Sequence, residues 1–417
     1  MKKRTGPPGE HFQKRNVILL TILVFATLFI YGFYESMKGP ALPRIQEELG
    51  ISELQLGLLL AFNSVAYVVA CSCTSLLVKK IGIKTCLIAA LVVIAISGIF
   101  ICLSPNYPVL VLSFFVLNLG NGMMEVSHGV IAAKTFTKNT GAMMSISHFF
   151  FGVGMMIAPV ISTSLMAVRF GSGIFGWRYL YLIVLSWALI PIIPAIVSRL
   201  EKSNGKKKKQ GYSALLKNRT LWLIVLVFAL GSVFELGAMA WLVNFLEKAY
   251  LFTSEKAALR LTMFFLCMTA ARLILGPLTD RFGLLNSLAV STAFAGALTI
   301  AGVLAGESGA VLLVIAGIGI GPLYPTVMAV IAKLFLEEIE QAMTVILTLM
   351  GIFSVFTNLL LGGLIQFTRQ LFTGAYGESG VSLAYSAGYL FLGICCLGSF
   401  TLAMYLRFRQ KKANSLV

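Results

Sequence analysis

Twelve runs of about 20 mostly apolar residues, separated by short polar bridges, fill nearly the whole of this 417-residue chain. A run of that length crosses the hydrocarbon of a bilayer when it is helical. The spans expected are 17–38, 54–78, 85–103, 108–133, 142–167, 177–198, 220–246, 257–279, 285–305, 309–333, 342–367 and 384–406. With 58% of residues hydrophobic and 12% charged, too few polar groups remain to solvate a globular surface. The fold class is therefore all-α, a polytopic membrane protein. Helix breakers at Gly152–Pro159 and Gly319–Pro325 interrupt two of the runs and blur their limits.

The chain also repeats itself. Phe33-Tyr34-Glu35 returns two hundred residues later as Val233-Phe234-Glu235, and each copy sets one acidic residue deep in an apolar run before a short amphipathic exit. The same offset carries Ala142-Met143 onto Ala342-Met343, and an offset of 199 carries Ala133-Lys134 onto Ala332-Lys333. Many secondary transporters are built from parallel repeats of several spans, with a binding site between the halves near the bilayer midplane. The expected organisation is an N-terminal tail (1–16), a six-helix bundle (17–200), a basic linker (201–218), a second pseudo-symmetric six-helix bundle (219–406) and a C-terminal tail (407–417).

A formal net charge of +17 would suggest nucleic acid in a soluble protein, but here the basic residues are distributed by side. With the N-terminus inside, 24 of the 33 Lys and Arg residues fall in cytoplasmic segments, 8 on the opposite side, and Arg272 within a span. That asymmetry follows the positive-inside rule and puts both termini in the cytoplasm of a multi-pass protein of the cell membrane. Lys206–Lys209 reads as a solvated topology determinant that meets anionic lipid. The first run is too long for a signal-peptide core and has no small-x-small cleavage site after it, so it counts as a span. All seven cysteines fall within spans, which implies neither a disulfide framework nor a metal site. No cofactor is implied.

Ionisable groups inside spans are expensive and persist where they pair or line a cavity. In the fourth span Asn118, Asn121, Glu125 and His128 follow steps of 3, 4 and 3 and share one helical face. Glu125 lies near the middle of this polar stripe, and a carboxylate whose partners change between conformations can load and release a proton. His128, one turn on, is its natural first partner, and such a pair can equally lock two helices together. Tyr31, Glu35 and Lys38 stand at helical spacing in the first span, so Glu35 either joins the proton path or is neutralised by Lys38.

Glu235 has no basic residue at i±3 or i±4, so its partner must come from another helix unless it is protonated or contacts substrate. Trp241 and Asn244, further along that run, offer an aromatic platform and an amide for a polyol. His148 heads a stripe with Ser145, Gly152 and Met155 that is either a ligand face or a close helix contact. Arg272 precedes Asp280 by eight residues, roughly 12 Å along a helix, which favours gating or pairing at the cytoplasmic end.

Gly276-Pro277-Leu278-Thr279-Asp280-Arg281-Phe282-Gly283 resembles the cytoplasmic loop signature of the major facilitator superfamily, G-x-L-x-D-R-x-G, at the position of its second-half copy. Leu42–Ser52 is similar to that family's first exit loop, and Gly176-Trp177-Arg178 to its turn before the sixth span. The first-half copy, Ser75–Gly82, carries Lys79 where the signature has Asp, a loss familiar in the fucose–galactose–glucose/proton symporter branch. Gly120–Glu125 resembles that branch's fourth-span motif, His148–Gly154 with Pro159 its fifth span, Glu235 with Trp241–Glu247 its seventh, and Tyr324-Pro325-Thr326 its tenth. The sequence departs from the branch in reading His128-Gly129 where the fucose transporter has Asn-Pro. The resemblance implies the major facilitator fold and Glu125 as coupling residue, with Asp280, Arg281 and Gly283 at a gate.

These readings converge on a secondary active transporter, not an enzyme, that takes up a sugar or similar small polar solute with protons by alternating access. Glu125, His128 and Glu35 are the expected proton-coupling residues. Glu235, Asn121, His148, Trp241, Tyr31 and Tyr324 are expected toward the solute, and Arg272 with the signature residues at the gate. The partners implied are a small-molecule substrate, protons and the lipid bilayer, with no nucleic acid and a monomeric state. The alternative is efflux of an amphipathic drug-like compound or lipid through a Met- and Phe-rich pocket. A membrane receptor or intramembrane enzyme lacks support: no phosphate-binding Gly-Lys loop, zinc-helix motif or Ser nucleophile elbow occurs.

Overall fold

The computed structural model describes residues 8–136, 140–170, 173–199, 215–335, 339–377 and 379–414. Residues 1–7 and 415–417 of the expected tails, and 201–214 of the linker with Lys206–Lys209, lie outside the described residues. Among the described residues, twelve helical segments are long and apolar enough to cross a membrane: Arg15–Leu49, Glu53–Thr74, Ile83–Leu103, Tyr107–Ala132, Ile146–Met166, Gly176–Val197, Arg219–Ala249, Ser254–Leu275, Leu284–Leu304, Gly306–Ile331, Val345–Tyr376 and Ser379–Arg409. They are numbered here as the first to twelfth spans. Large apolar side chains such as Leu103, Ile193, Ile274, Val290 and Phe367 stand exposed around them. So much exposed apolar surface belongs in lipid rather than water, and the chain is a multi-pass membrane protein.

Helix limits follow the capping residues. Asn106 accepts from the Val109 amide at the start of the fourth span, Asn218 from Thr220 and Leu221 before the seventh, and Thr253 from Lys256 before the eighth. Ser52 and Gln55 form a reciprocal box at the second: the Ser52 amide donates to Gln55 Oε1, and the Gln55 amide to Ser52 Oγ. The turns into the third and ninth spans use Gly82 at φ +83° and Gly283 at φ +85°. A side chain is strained at such angles. The two signature loops, one in each half of the sequence, thus share one backbone solution.

The structure adds four details to the expected spans. The exit after Glu35 is itself helical, Lys38–Leu49, buried from Lys38 to Pro43 and closed by Gly50 at φ +61°. The tenth span breaks into Ala310–Ile320 and Leu323–Leu334 where Gly321-Pro322 removes a donor, whereas Pro159 is absorbed within the single helix Thr140–Met166. Pro191 and Pro194 likewise divide the end of the sixth span. A two-residue antiparallel pair, Arg169 with Ile174 and Phe170 with Gly173, joins the fifth to the sixth.

Lipid is as apolar as leucine, so helices associate in it through close packing rather than hydrophobic burial. Gly32 and Gly154 supply that contact between the first and fifth spans. A β-carbon on Gly32 would stand 2.1 Å from the Phe151 carbonyl oxygen, and one on Gly154 2.2 Å from that of Phe29.

Two compact units result, one of Met1–Glu35, Ala66–Met155 and Phe175–Lys207, the other of Ser36–Val65, Met156–Ile174 and Lys208–Val417. The exit helix and the first half of the second span thus pack with helices from the C-terminal part of the sequence. Gly57 and Gly362 meet there, each leaving no room for a β-carbon on the other.

Candidate functional site

The first unit gathers a polar network on the fourth-span stripe. Glu125 is half-buried, and its Oε2 accepts from the Tyr67 hydroxyl at 2.7 Å and the Tyr31 hydroxyl at 3.4 Å. One turn earlier, Asn121 is 1% exposed and accepts from the Tyr34 hydroxyl at 2.7 Å. Its amide nitrogen donates to Glu35 Oε1 at 3.1 Å and to Asn118 Oδ1 at 3.2 Å. The Tyr31 ring lies 5.5 Å from that of Tyr34 and 5.3 Å from that of Phe151. Two carboxylates, at Glu35 and Glu125, therefore flank a cluster of phenols and amides contributed by the first, second and fourth spans. Phenols both donate and accept, so the cluster can hold a carboxylate and pass a proton.

The partner expected for Glu125 needs correction. His128 is buried and turns its Nε2 to the Val24 carbonyl at 3.3 Å, so among the described residues the phenols of Tyr67 and Tyr31 hold Glu125 instead. The helical step from 125 to 128 puts both residues toward the first span, but the carbonyl there competes for the ring. His148 is exposed on the fifth span.

In the second unit, Glu235 receives the partner it must take from another helix. Arg272 Nη2 lies 2.8 Å from Glu235 Oε1, while Arg272 Nε donates to the Gly321 carbonyl at 3.0 Å. Arg272, expected to gate or pair toward the cytoplasmic end, thus finds its partners within the span. Pro325, four residues on and without an N–H, leaves the Gly321 carbonyl free to receive it. Tyr324, one turn beyond Gly321, sets its ring 5.8 Å from that of Phe228. Arg281 is exposed and Gly283 makes the turn, but the side chain of Asp280 lies outside the described residues.

Trp241 is fully buried and Asn244 equally so, which removes both from any solute surface in this conformation. Asn244 instead donates to Gln46 Oε1 at 2.9 Å within a cluster that the sequence did not reveal. Its centre is Glu53, 1% exposed, whose Oε1 accepts from Arg369, from Tyr385 at 3.3 Å and from Gln46 at 3.4 Å. Arg44 pairs with Glu247 beside it, and Lys248 with Glu47 at 3.4 Å. From sequence, Glu53 reads as the acidic first-turn residue of a capped helix, which conceals its second role. Tyr67 and Tyr34 were equally concealed, because tyrosines in spans commonly pack or sit at interfaces.

The profile described as Major Facilitator Superfamily matches residues 24–253 and 238–417. The probable L-galactonate transporter of Escherichia coli (strain K12) is 25% identical over 282 residues, covering 63% of this chain and 61% of that protein. The chain spans less than two thirds of the length of the curated relatives it matches. Among solved structures, a bacterial homologue of the human lysosomal transporter Spinster, inward-facing and unoccupied, superposes with a TM-score of 0.74 at 16% identity, over 96% of this chain and 98% of that one. The Escherichia coli fucose:proton symporter does so with 0.63 at 18%, over 94% and 99%. Superpositions at identities this low show the fold alone.

Proposed function

Because the chain belongs to the major facilitator superfamily, and is therefore built as a membrane transporter, we propose that it takes up a sugar or similar small polar solute together with a proton. The observation that carries this reading is Glu125, a carboxylate in mid-bilayer sequence held by the phenols of Tyr67 and Tyr31 rather than by a cation. A carboxylate without a fixed countercharge is the group a transporter can protonate and deprotonate as its surroundings change. Asn121 links it to Glu35 and Tyr34, and these amide and phenol groups suit a hydroxylated solute.

The relative named for L-galactonate transport and the fucose:proton symporter among the structural neighbours favour a metabolite over an amphipathic drug. The asymmetry of Lys and Arg residues supports an orientation with both termini in the cytoplasm, and in this reading the protein acts in the cell membrane as a monomer. In that orientation the cluster around Glu53 lies toward the outer side.

Solid-supported-membrane electrophysiology on the reconstituted protein tests the reading. At least one solute of a hexose, pentose, polyol and sugar-acid panel applied in sodium-free buffer should evoke current in wild type or, where an acid's charge cancels that of the proton, acidify the vesicle interior, and neither signal should arise in Glu125→Gln. Equal currents in the two proteins would remove Glu125 as proton carrier.

A further inference from the structure

Glu235 stands at the middle of the 31-residue helix Arg219–Ala249, and Arg272 one turn beyond the middle of the 29-residue helix Ser254–Phe282. A charge pair at that depth is expensive, and apolar side chains of similar volume would pack there at least as well. Neither group is sealed in: the Arg272 side chain keeps 19% of its surface exposed and the Glu235 side chain 17%. The guanidinium carries five N–H donors in a planar fork. Among the described residues its partners are the Gly321 carbonyl, Glu235 Oε1 and Met268 Sδ at 3.8 Å, and none of these reaches Nη1.

The Gly321 contact fixes the Nε side of the fork, and Glu235 makes a single bond to Nη2. The arrangement leaves donors of an anchored, partly exposed cation to a second planar acceptor, the geometry in which arginine binds carboxylates bidentately. We infer that the solute carries a carboxylate, which takes the Nη1 and Nη2 donors of Arg272 in place of the Glu235 contact. This rests on the transport reading above and narrows its solute class to small organic acids, including sugar acids. Glu235 then holds the arginine when the site is empty, so that no uncompensated charge is left inside the span.

The experiment pairs neutral aldoses with their own acids. Proteoliposomes containing wild type, Arg272→Lys, Arg272→Gln, Glu235→Gln and the double variant Arg272→Gln/Glu235→Gln are assayed for uptake of glucose, gluconate, galactose and galactonate. Wild type should move the acids and not the aldoses. Arg272→Gln should raise the KM for the acids about 30-fold or more, the loss expected when a buried charge contact is truncated. Arg272→Lys should recover only part of it, because an ammonium lacks the planar fork.

Glu235→Gln should keep or tighten acid binding, since it removes the competing carboxylate. The double variant removes both charges together, so it stays folded where the single Arg272→Gln does not, as checked by thermal unfolding in detergent, and should still fail to take the acids. Uptake of aldoses but not acids by wild type overturns the proposal and leaves the sugar-transport reading standing. Uptake of neither overturns both, and acid uptake with an unchanged KM in the folded double variant overturns the proposal alone.

Discussion

At the residue scale the molecule handles two mid-membrane carboxylates in opposite ways. Glu235 is met by a guanidinium at 2.8 Å, whereas Glu125 is met by two neutral hydroxyls. An ion pair fixes the charged state, and a phenol leaves it open to change. Glu125→Gln should therefore abolish net transport driven by a pH gradient while solute exchange continues, because exchange does not cycle the proton. Radiolabelled counterflow beside gradient-driven uptake separates the two. Tyr67→Phe removes a hydrogen bond to a charged group and should slow gradient-driven uptake about tenfold, with counterflow less affected. The stripe Asn118, Asn121, Glu125 and His128 is legible from the helical period alone, since spacing of 3 and 4 sets side chains on one face. The partners are not: nothing in the period says that His128 turns to Val24 or that Tyr67 arrives from the second span.

At the level of elements, the span limits came close to those expected because helix length is set by bilayer thickness and helix ends by local capping, both written along the chain. Where the run contains proline, the sequence marks a possible break without saying whether neighbours absorb it: Pro159 stays within a helix, and Pro322 ends one. Helix crossings rest on backbone contact. Gly32→Ala drives its β-carbon into the Phe151 carbonyl and should lower the melting temperature in detergent by about 3 °C or more, while Gly129→Ala, with nothing within 4 Å, should leave it unchanged or raise it. If both variants melt together with wild type, the close crossing of the first and fifth spans is not a packing contact.

For the whole molecule, the exit helix Lys38–Leu49 and the start of the second span are tied by Glu53 to Arg369, Tyr385 and Gln46. On the alternating-access cycle proposed above, this tie is one that each cycle must release, and its strength would limit how often this end opens. Glu53→Gln keeps the shape and loses the ionic contact. The amides of residues 38–65 should then exchange with deuterium about tenfold faster in the intact reconstituted protein, charge-assisted hydrogen bonds being the stronger class. Unchanged exchange would show that packing at Gly57 and Gly362 holds this end without Glu53. Sidedness is tested separately. A fluorescent-protein fusion at the C-terminus should fold and fluoresce, and an alkaline-phosphatase fusion at the same place should be inactive, as a cytoplasmic terminus requires.

The amino-acid sequence alone settled that this chain spans a membrane twelve times in two related halves, since hydropathy, capping residues and repeated motifs act over a few neighbours in the chain. The two signature loops illustrate it: Gly82 and Gly283, two hundred and one residues apart, both turn the chain at a positive φ. Only the tertiary structure decided which polar groups meet. Arg272 and Glu235 are 37 residues apart, Glu53 and Arg369 are 316 apart, and Tyr67 and Glu125 are 58 apart. Each contact depends on how helices rotate and cross. In lipid those rotations are fixed by the close fit of small residues and by the need to satisfy every buried polar group, which no local stretch of sequence specifies.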